Sequence, residues 1–318
     1  MQIVEAVPNI SEGKNASIVN RVRAAAEEAG VRVLHLDSNA NANRTVLTLA
    51  GTPPVVTEGA FRLIRAAAEW IDMRWQHGVH PRLGATDVCP LVPVRGISLA
   101  ETADWADRLA RRVAEELHIP VYLYEQNAHR PLCADLSFIR RGEYEQLATK
   151  LRALPPDYGP QEWNERTART GASVIGARQF LIAFNMSLDT RDVVIARQIA
   201  AKLREKNGGL KAVKAIGWYM ADYGCAQVSC NLTDYTQTSL AVLFETCRRE
   251  AAAHGTRVTA GELIGLIPQQ ALVEAGRWYA PQEKDVSALM QTAAEKLLLD
   301  GIRPFQVRER VLEYVLGL

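Results

Sequence analysis

The feature that most constrains this chain is an order of elements that occurs twice. QIVEAV (2–7) reads as a strand stopped by Pro8-Asn9, and a helix pattern follows over about 15–29, with Ile18, Val22, Ala25 and Ala29 on one stripe. VRVLHLD (31–37) and RTVLTLAG (44–51) read as strands joined by the Asn-rich SNANAN turn. A second helix runs from about Pro54 to Trp70, and VCPLVPV (88–94) is a short strand whose prolines suit an edge or a bulge. The second half repeats the plan. QFLIAFNM (179–186) is a strand ending near Asn185, followed by the helix TRDVVIARQIAAKLREK and the strands GLKAVKAIGWY and CAQVSCNL. The helix TSLAVLFETCRREAAAHG and a closing strand at RVTA complete it. Each half reads β-α-β-β-α-β, the ferredoxin-like order. The expectation is a mixed α/β (α+β) fold of two related lobes, residues 1–177 and 178–318.

Further elements decorate both halves. Ser98-Leu99-Ala100-Glu101 has the form of a capping box and opens a helix with the stripe Ala106, Leu109, Ala110, Val113, Leu117. A strand is expected at 121–126 and one helix over 135–152. Thr259 to Glu262 has the form of a second capping box ahead of ELIGLIPQQALVEA, and 284–317 reads as two more helices. The stretch 153–173 is rich in turn residues and long for a connection.

A ferredoxin-like unit covers one face of its sheet with helices and leaves the other face open. Strict alternation puts Val31, Val33, His35 and Asp37 on one side of their strand, and Arg44, Val46 and Thr48 on one side of theirs. In the second half Gln227, Ser229 and Asn231 align opposite Ala226, Val228, Cys230 and Leu232. A merely solvated face would carry more Lys and Glu. The stripes are therefore expected to line a ligand cleft across which the two sheets face one another.

Composition removes several classes of function. With 37 basic and 36 acidic residues the net charge is +1, so nothing draws the whole chain to nucleic acid or to an anionic membrane. No apolar run reaches about 18 residues, and MQIVEAVP lacks the apolar stretch of a secretory signal. The five scattered cysteines form no CxxC pair and are expected to be reduced packing residues of a cytoplasmic protein, with no metal site. P-loop, GxGxxG, HExxH and GxSxG patterns are missing, which argues against nucleotide, zinc or acyl-serine chemistry.

The chemistry is expected at HGVHPRLGATDVCP (77–90). His80 precedes Pro81, so its backbone is pushed out of the helical region onto an irregular segment that can aim an imidazole. Asp37 is a candidate to orient it, though an Asp at a strand end also serves as a turn residue. Arg44, Arg82 and Arg95 are candidates to clamp substrate carboxylates. Asn9 could donate to a carbonyl or imine, or simply cap a turn.

Long motifs then point one way. VPNISEGKN (7–15), DSN with NRTVLTLAG (37–51), HPRLGATDVCPLVPVRG (80–96), IPVYLYE (119–125), RRGEYEQL (140–147), GARQFLIAFN (176–185) and IGWYMADYGCAQVSCNLTDY (216–235) resemble the glutamate formimidoyltransferase family. The resemblance covers nearly the whole chain, in order. It looks like a stand-alone version of the transferase half of formimidoyltransferase-cyclodeaminase. It implies transfer of a formimino group from N-formimino-L-glutamate to N5 of tetrahydrofolate, the co-substrate, in histidine degradation. It also implies two sheets facing across a tunnel and a homodimer. His80 then falls on the family's catalytic His and Asp37 on its partner, and the residue chemistry and strand alternation read above are expected to put Asn9, Arg44, Arg82, Gln227 and Asn231 toward substrate. The folate-contacting loop corresponds to 159–171, with Gly159, Trp163, Arg166, Arg169 and Gly171. That loop, GPQEWNERTARTG, departs from the family pattern in being longer and more charged. Two other readings stand beside this one. The donor could be a formyl group, exchanged between 5-formyltetrahydrofolate and glutamate, or the chain could be a non-catalytic binding module. An RNA-binding sheet presents stacking aromatics, and strands 31–37 and 44–50 have none.

Overall fold

A computed structural model describes residues 1–318, which divide into two compact units, Met1–Gln179 and Phe180–Leu318. In the first unit the strands are β1 (Ile3–Ala6), β2 (Asn9–Ile10), β3 (Arg32–Asn39), β4 (Arg44–Gly51), β5 (Thr86–Arg95), β6 (Val121–Leu123) and β7 (Ser173–Ala177). The helices are α1 (Ala16–Glu27), α2 (Pro53–Trp70), α3 (Leu99–Leu117), α4 (Leu136–Ile139), α5 (Leu147–Ala153) and α6 (Glu165–Thr170). β1 and β2 are one end-to-end path broken at Val7-Pro8, because proline supplies no N–H to a ladder. Both pieces pair antiparallel with β4 on one side and β5 on the other, and β3 pairs with β4.

The second unit contains β8 (Ile182–Leu188), α7 (Val193–Leu203), β9 (Val213–Met220), β10 (Cys225–Leu232), α8 (Leu240–Ala253) and β11 (Val258–Ile264). α9 (Gln269–Tyr279), α10 (Val286–Lys296) and two short C-terminal helices follow. Its sheet order is β11-β8-β10-β9, antiparallel throughout. In both units the first strand of the repeated plan lies between the third and fourth, and the second lies outside the third. The core face of this sheet carries Phe184, Met186, Val228 and Cys230, packed with Ile199, Leu203, Leu243 and Phe244 from the helices. The Phe184 and Phe244 rings sit 6.2 Å apart in tilted contact. Removing such a buried ring typically costs about 3–5 kcal/mol.

Local signals explain most boundaries. Asn15 caps α1 by accepting from the Ser17 and Ile18 amides. Ser98 and Glu101 close a reciprocal capping box at α3, whose buried residues Ala106, Leu109, Ala110, Val113 and Leu117 form the expected stripe. Three expectations need correction. The helix anticipated over 135–152 is broken into α4 and α5, because Gly142 and Glu143 adopt left-handed backbone at φ 81° and 53°. Thr259–Glu262 does not cap a helix: it lies within β11, and the helix begins only at Gln269. The turn-rich stretch ends in a strand, β7, that pairs parallel with β5 and β6 and extends the first unit's sheet.

Strict alternation also fails at two places that matter. Val33 pairs with Leu49 and His35 with Thr48, so Leu34 is an extra residue in β3. Val33 and Leu36 accordingly pack on the core, and His35 and Asp37 take the opposite face. In β5, Ile10 pairs with Thr86 and Asn9 with Val88, so Asp87 is the unpaired extra residue.

Candidate functional site

The bulge at Asp87 frees that side chain from the alternation that would otherwise class it with Cys89 and Leu91, both core residues. Its Oδ1 accepts from the Leu83 amide at 2.8 Å and from Arg140 Nε at 3.3 Å. Its Oδ2 lies 2.7 Å from Arg44 Nη2 and 2.5 Å from Arg140 Nη2. The carboxylate is fully buried. Burial opposes its charge, yet Arg140 and Arg44 prevail and hold its pKa down at about 2. Burial pulls the Arg44 guanidinium down to about 10 against the support of Asp87. Arg44 Nε also donates to Asn9 Oδ1 at 3.0 Å, and Asn9 Nδ2 donates to the Val7 carbonyl at 2.7 Å. The structure therefore brings Asn9 and Arg44 into direct contact.

His80 belongs to the same electrostatic neighbourhood. Its Nδ1 lies 2.7 Å from the Pro81 carbonyl oxygen. A carbonyl only accepts, so Nδ1 carries the proton of the neutral ring and the basic lone pair is on Nε2. The imidazole keeps some solvent access but is crowded by protein. This desolvation, with the positive charges of Arg44 and Arg140, lowers its pKa well below the ordinary histidine value, against the pull of Asp87 and the Pro81 bond. With two guanidinium cations against one carboxylate, the nest around a neutral His80 is cationic. It is suited to an anionic ligand and to a ring that takes up a proton only transiently.

The segment carrying His80 is anchored by the Asn-rich turn and its surroundings. The Val79 amide donates to the Asn41 carbonyl at 3.0 Å, Asn43 Nδ2 to Gln76 Oε1 at 2.5 Å, and Gln76 Nε2 to Glu12 Oε2 at 3.3 Å. Arg82 takes part in the same anchoring. Its guanidinium makes five bonds, to Gln76 O twice, Glu145 twice and Glu143 once, which uses all five N–H donors. Its expected place on substrate is occupied by protein. Arg95 stands exposed at the end of β5. Asp37 is buried, with its Oδ2 3.4 Å from His35 Nε2, and its pairing with Val46 puts it in a row with Asn9, which also pairs with Val46.

The 159–171 loop is built onto the first unit. Gly159 adopts φ 87° against the Ile119 carbonyl, and Gly171 adopts φ 64° at the end of α6. Gly171 bridges Gly84 of the HPRLGATD motif, and a Cβ on Gly84 would stand 2.3 Å from the Ala172 oxygen. Both positions need glycine because two backbones meet there. Arg166 Nε donates to Leu117 O at 3.1 Å, and Arg169 Nη2 donates to Glu69 O at 2.6 Å while its Nη1 approaches Asp72 at 3.4 Å. Trp163, 40% exposed, tilts against Tyr144 with ring centroids 5.8 Å apart. It presents an aromatic face that remains accessible.

In the second unit the polar stripe is real but unevenly buried. Gln227 is fully buried, accepting from Trp218 Nε1 at 2.9 Å and donating to Glu262 Oε2 at 3.3 Å. Asn231 lies four residues further along the same face and is exposed. Glu262 also accepts from Asn185 at 3.3 Å and from the Tyr223 hydroxyl at 2.8 Å. Sequence reasoning missed Asp87, Arg140 and Glu262. The first two lie inside the HPRLGATD and RRGEYEQL motifs, which was the available signal. Glu262 was hidden by its resemblance to a helix cap.

Comparison with known proteins finds relatives along nearly the whole chain. Residues 3–178 match the formiminotransferase domain, N-terminal subdomain, and residues 183–317 match the formiminotransferase domain. A glutamate formimidoyltransferase of Streptococcus pyogenes serotype M1 is 41% identical over 89% of this chain and 94% of its own length. A glutamate formimidoyltransferase of Thermoplasma acidophilum is 42% identical over 88% of this chain and 92% of its own. The formimidoyltransferase-cyclodeaminase of Mus musculus is 42% identical over 99% of this chain, which spans 60% of that relative's length.

Proposed function

The chain belongs to the formiminotransferase domain family, and on that premise we propose that it moves the formimino group of N-formimino-L-glutamate to N5 of tetrahydrofolate. The products are 5-formiminotetrahydrofolate and L-glutamate. One observation carries the reading: a neutral His80 with its lone pair on Nε2 beside the Arg44–Asp87–Arg140 nest.

The chemistry needs such a group. N5 attacks the formimino carbon, a carbon–nitrogen bond forms, and the tetrahedral intermediate must expel the glutamate nitrogen. His80 Nε2 accepts the proton from the attacking N5 and returns it to the departing nitrogen, so the ring ends as it began. A depressed pKa suits this cycle, because the ring starts as a base at neutral pH and gives up its proton readily. Excess positive charge at Arg44 and Arg140 attracts the glutamate carboxylates. Asn9, held at 3.0 Å by Arg44, presents a polar group on the same side. Asp37 and Asp87 are buried carboxylates, and we assign stabilisation of the transient imidazolium to them. The accessible face of Trp163 is suited to stack on a pterin or benzoyl ring. The family likeness also supports a homodimer.

The test is product analysis with formiminoglutamate and formylglutamate offered separately with tetrahydrofolate. Formation of 5-formiminotetrahydrofolate and glutamate is expected. A protein that transfers only the formyl group, or neither, overturns the reading.

A further inference from the structure

The RRGEYEQL segment touches the His80 region at two separate points. Arg140, immediately after α4, reaches Asp87, which neighbours His80 electrostatically. Glu143 and Glu145, a few residues on, hold Arg82, two residues beyond His80. Between these contacts the backbone makes a turn that few residues adopt. Gly142 and Glu143 both have positive φ, and the Glu143 amide donates to the Arg140 carbonyl at 2.7 Å. A helix as short as α4 leaves its last carbonyls without helical partners. Here two carbonyls flanking Arg140, those of Ile139 and Arg141, both accept from one ammonium, Lys150 Nζ on α5. Lys150 is half-buried, and the charged groups acting on it are Arg141 and Glu143.

We propose that Lys150 is a positioning residue for the His80 site. Its ammonium pins the turn so that Arg140 faces Asp87 and the Glu143–Glu145 pair faces Arg82. No other bond ties both sides of the Arg140 peptide to one group among the contacts described above. Without the pin, Arg140 would drift from Asp87. His80 would lose one positive neighbour and feel more of the Asp87 charge, so its titration would move upward. The proposal rests on reading His80 as the proton-transfer group, but its test does not depend on the substrate.

The experiment follows His80 by NMR in ligand-free protein carrying ring-labelled histidine, with a His80→Gln variant to assign the signal. Lys150→Met keeps the aliphatic stem and removes the donors. It is expected to shift the His80 titration upward and to lower kcat/KM for formimino transfer on the order of ten-fold, as loss of a supporting contact typically does. Lys150→Arg keeps a charged donor and is expected to titrate closer to the parent. If Lys150→Met does not fold, Lys150→Gln, which keeps one amide donor, takes its place with a smaller upward shift expected. A His80 titration unchanged from the parent in the folded variant overturns the proposal, whatever happens to Tm. Absence of formimino transfer in the parent would instead overturn the functional reading and leave the titration result standing.

Discussion

Arg44 and Asp87 form a buried ion pair, Nη2 to Oδ2 at 2.7 Å, between β4 and β5, which β1 and β2 separate in the sheet, with Arg44 7% exposed and Asp87 fully buried. Arg140 closes on the same carboxylate at 2.5 Å from a turn some fifty residues further on. Breaking a buried pair from one side leaves an uncompensated charge inside. Asp87→Asn should therefore cost stability by about 3–5 kcal/mol. It should also lower the His80 titration further, since the Asp87 charge that raises it is gone. Urea denaturation and histidine NMR measure the two effects, and a variant as stable as the parent would mean that the pair contributes little.

His80→Ala should lower kcat by about 10²–10⁴-fold, the usual loss for general acid–base catalysis. Folate Kd should stay near the parent value, because Trp163 and the 159–171 loop, the groups assigned to folate, are untouched. An unchanged kcat with weakened binding would make His80 a binding residue.

The pH–rate profile follows from the direction of the His80 shift. The active form is neutral, so kcat/KM should rise with pH through the His80 pKa. Because that pKa lies well below the ordinary value, the acid limb should lie below pH 6.5 and the rate should be level through neutrality. An ionisation at or above neutral pH that disappears in His80→Ala would contradict this assignment.

Stability should fall in acid for two linked reasons. Asp87 titrates at about 2 in the folded protein, so its contribution is full above the unfolded value near 4 and is lost as pH falls toward 2. His80 has a depressed folded pKa, so the unfolded chain binds its proton first and stability begins to decline below about pH 6.5. On acidification the His80 component should appear first and the Asp87 component only below about pH 4, and Asp87→Asn should remove the lower-pH component.

The 159–171 loop offers a separate test. Arg166 and Arg169 donate to the Leu117 and Glu69 carbonyls, so replacing both by Ala should loosen the loop at a cost of about 1–3 kcal/mol. KM for tetrahydropteroyl-polyglutamate should rise more than KM for formiminoglutamate. Equal or unchanged values would make the loop a structural brace.

Much of this protein is written locally. Hydrophobic periodicity and caps such as Asn15 and Ser98 determined most helices and strands, and the repeated order of elements implied two related units. The His80-Pro81 dipeptide placed an imidazole on irregular backbone, and that holds because its cause lies in adjacent residues. Arg82 read as a candidate clamp because sequence shows a charge but not its partners. Asp87 was invisible for a different reason: alternation counts residues, whereas a bulge adds one where a partner strand requires it, at Asn9 and Ile10. The same holds for Leu34 in β3 and for β7, which is a strand only because β5 and β6 offer it ladders. Which side chains exist and which segments can form them is local chemistry. Which charges meet at Asp87 depends on strands and turns far apart in the chain, and only the folded chain brings them together.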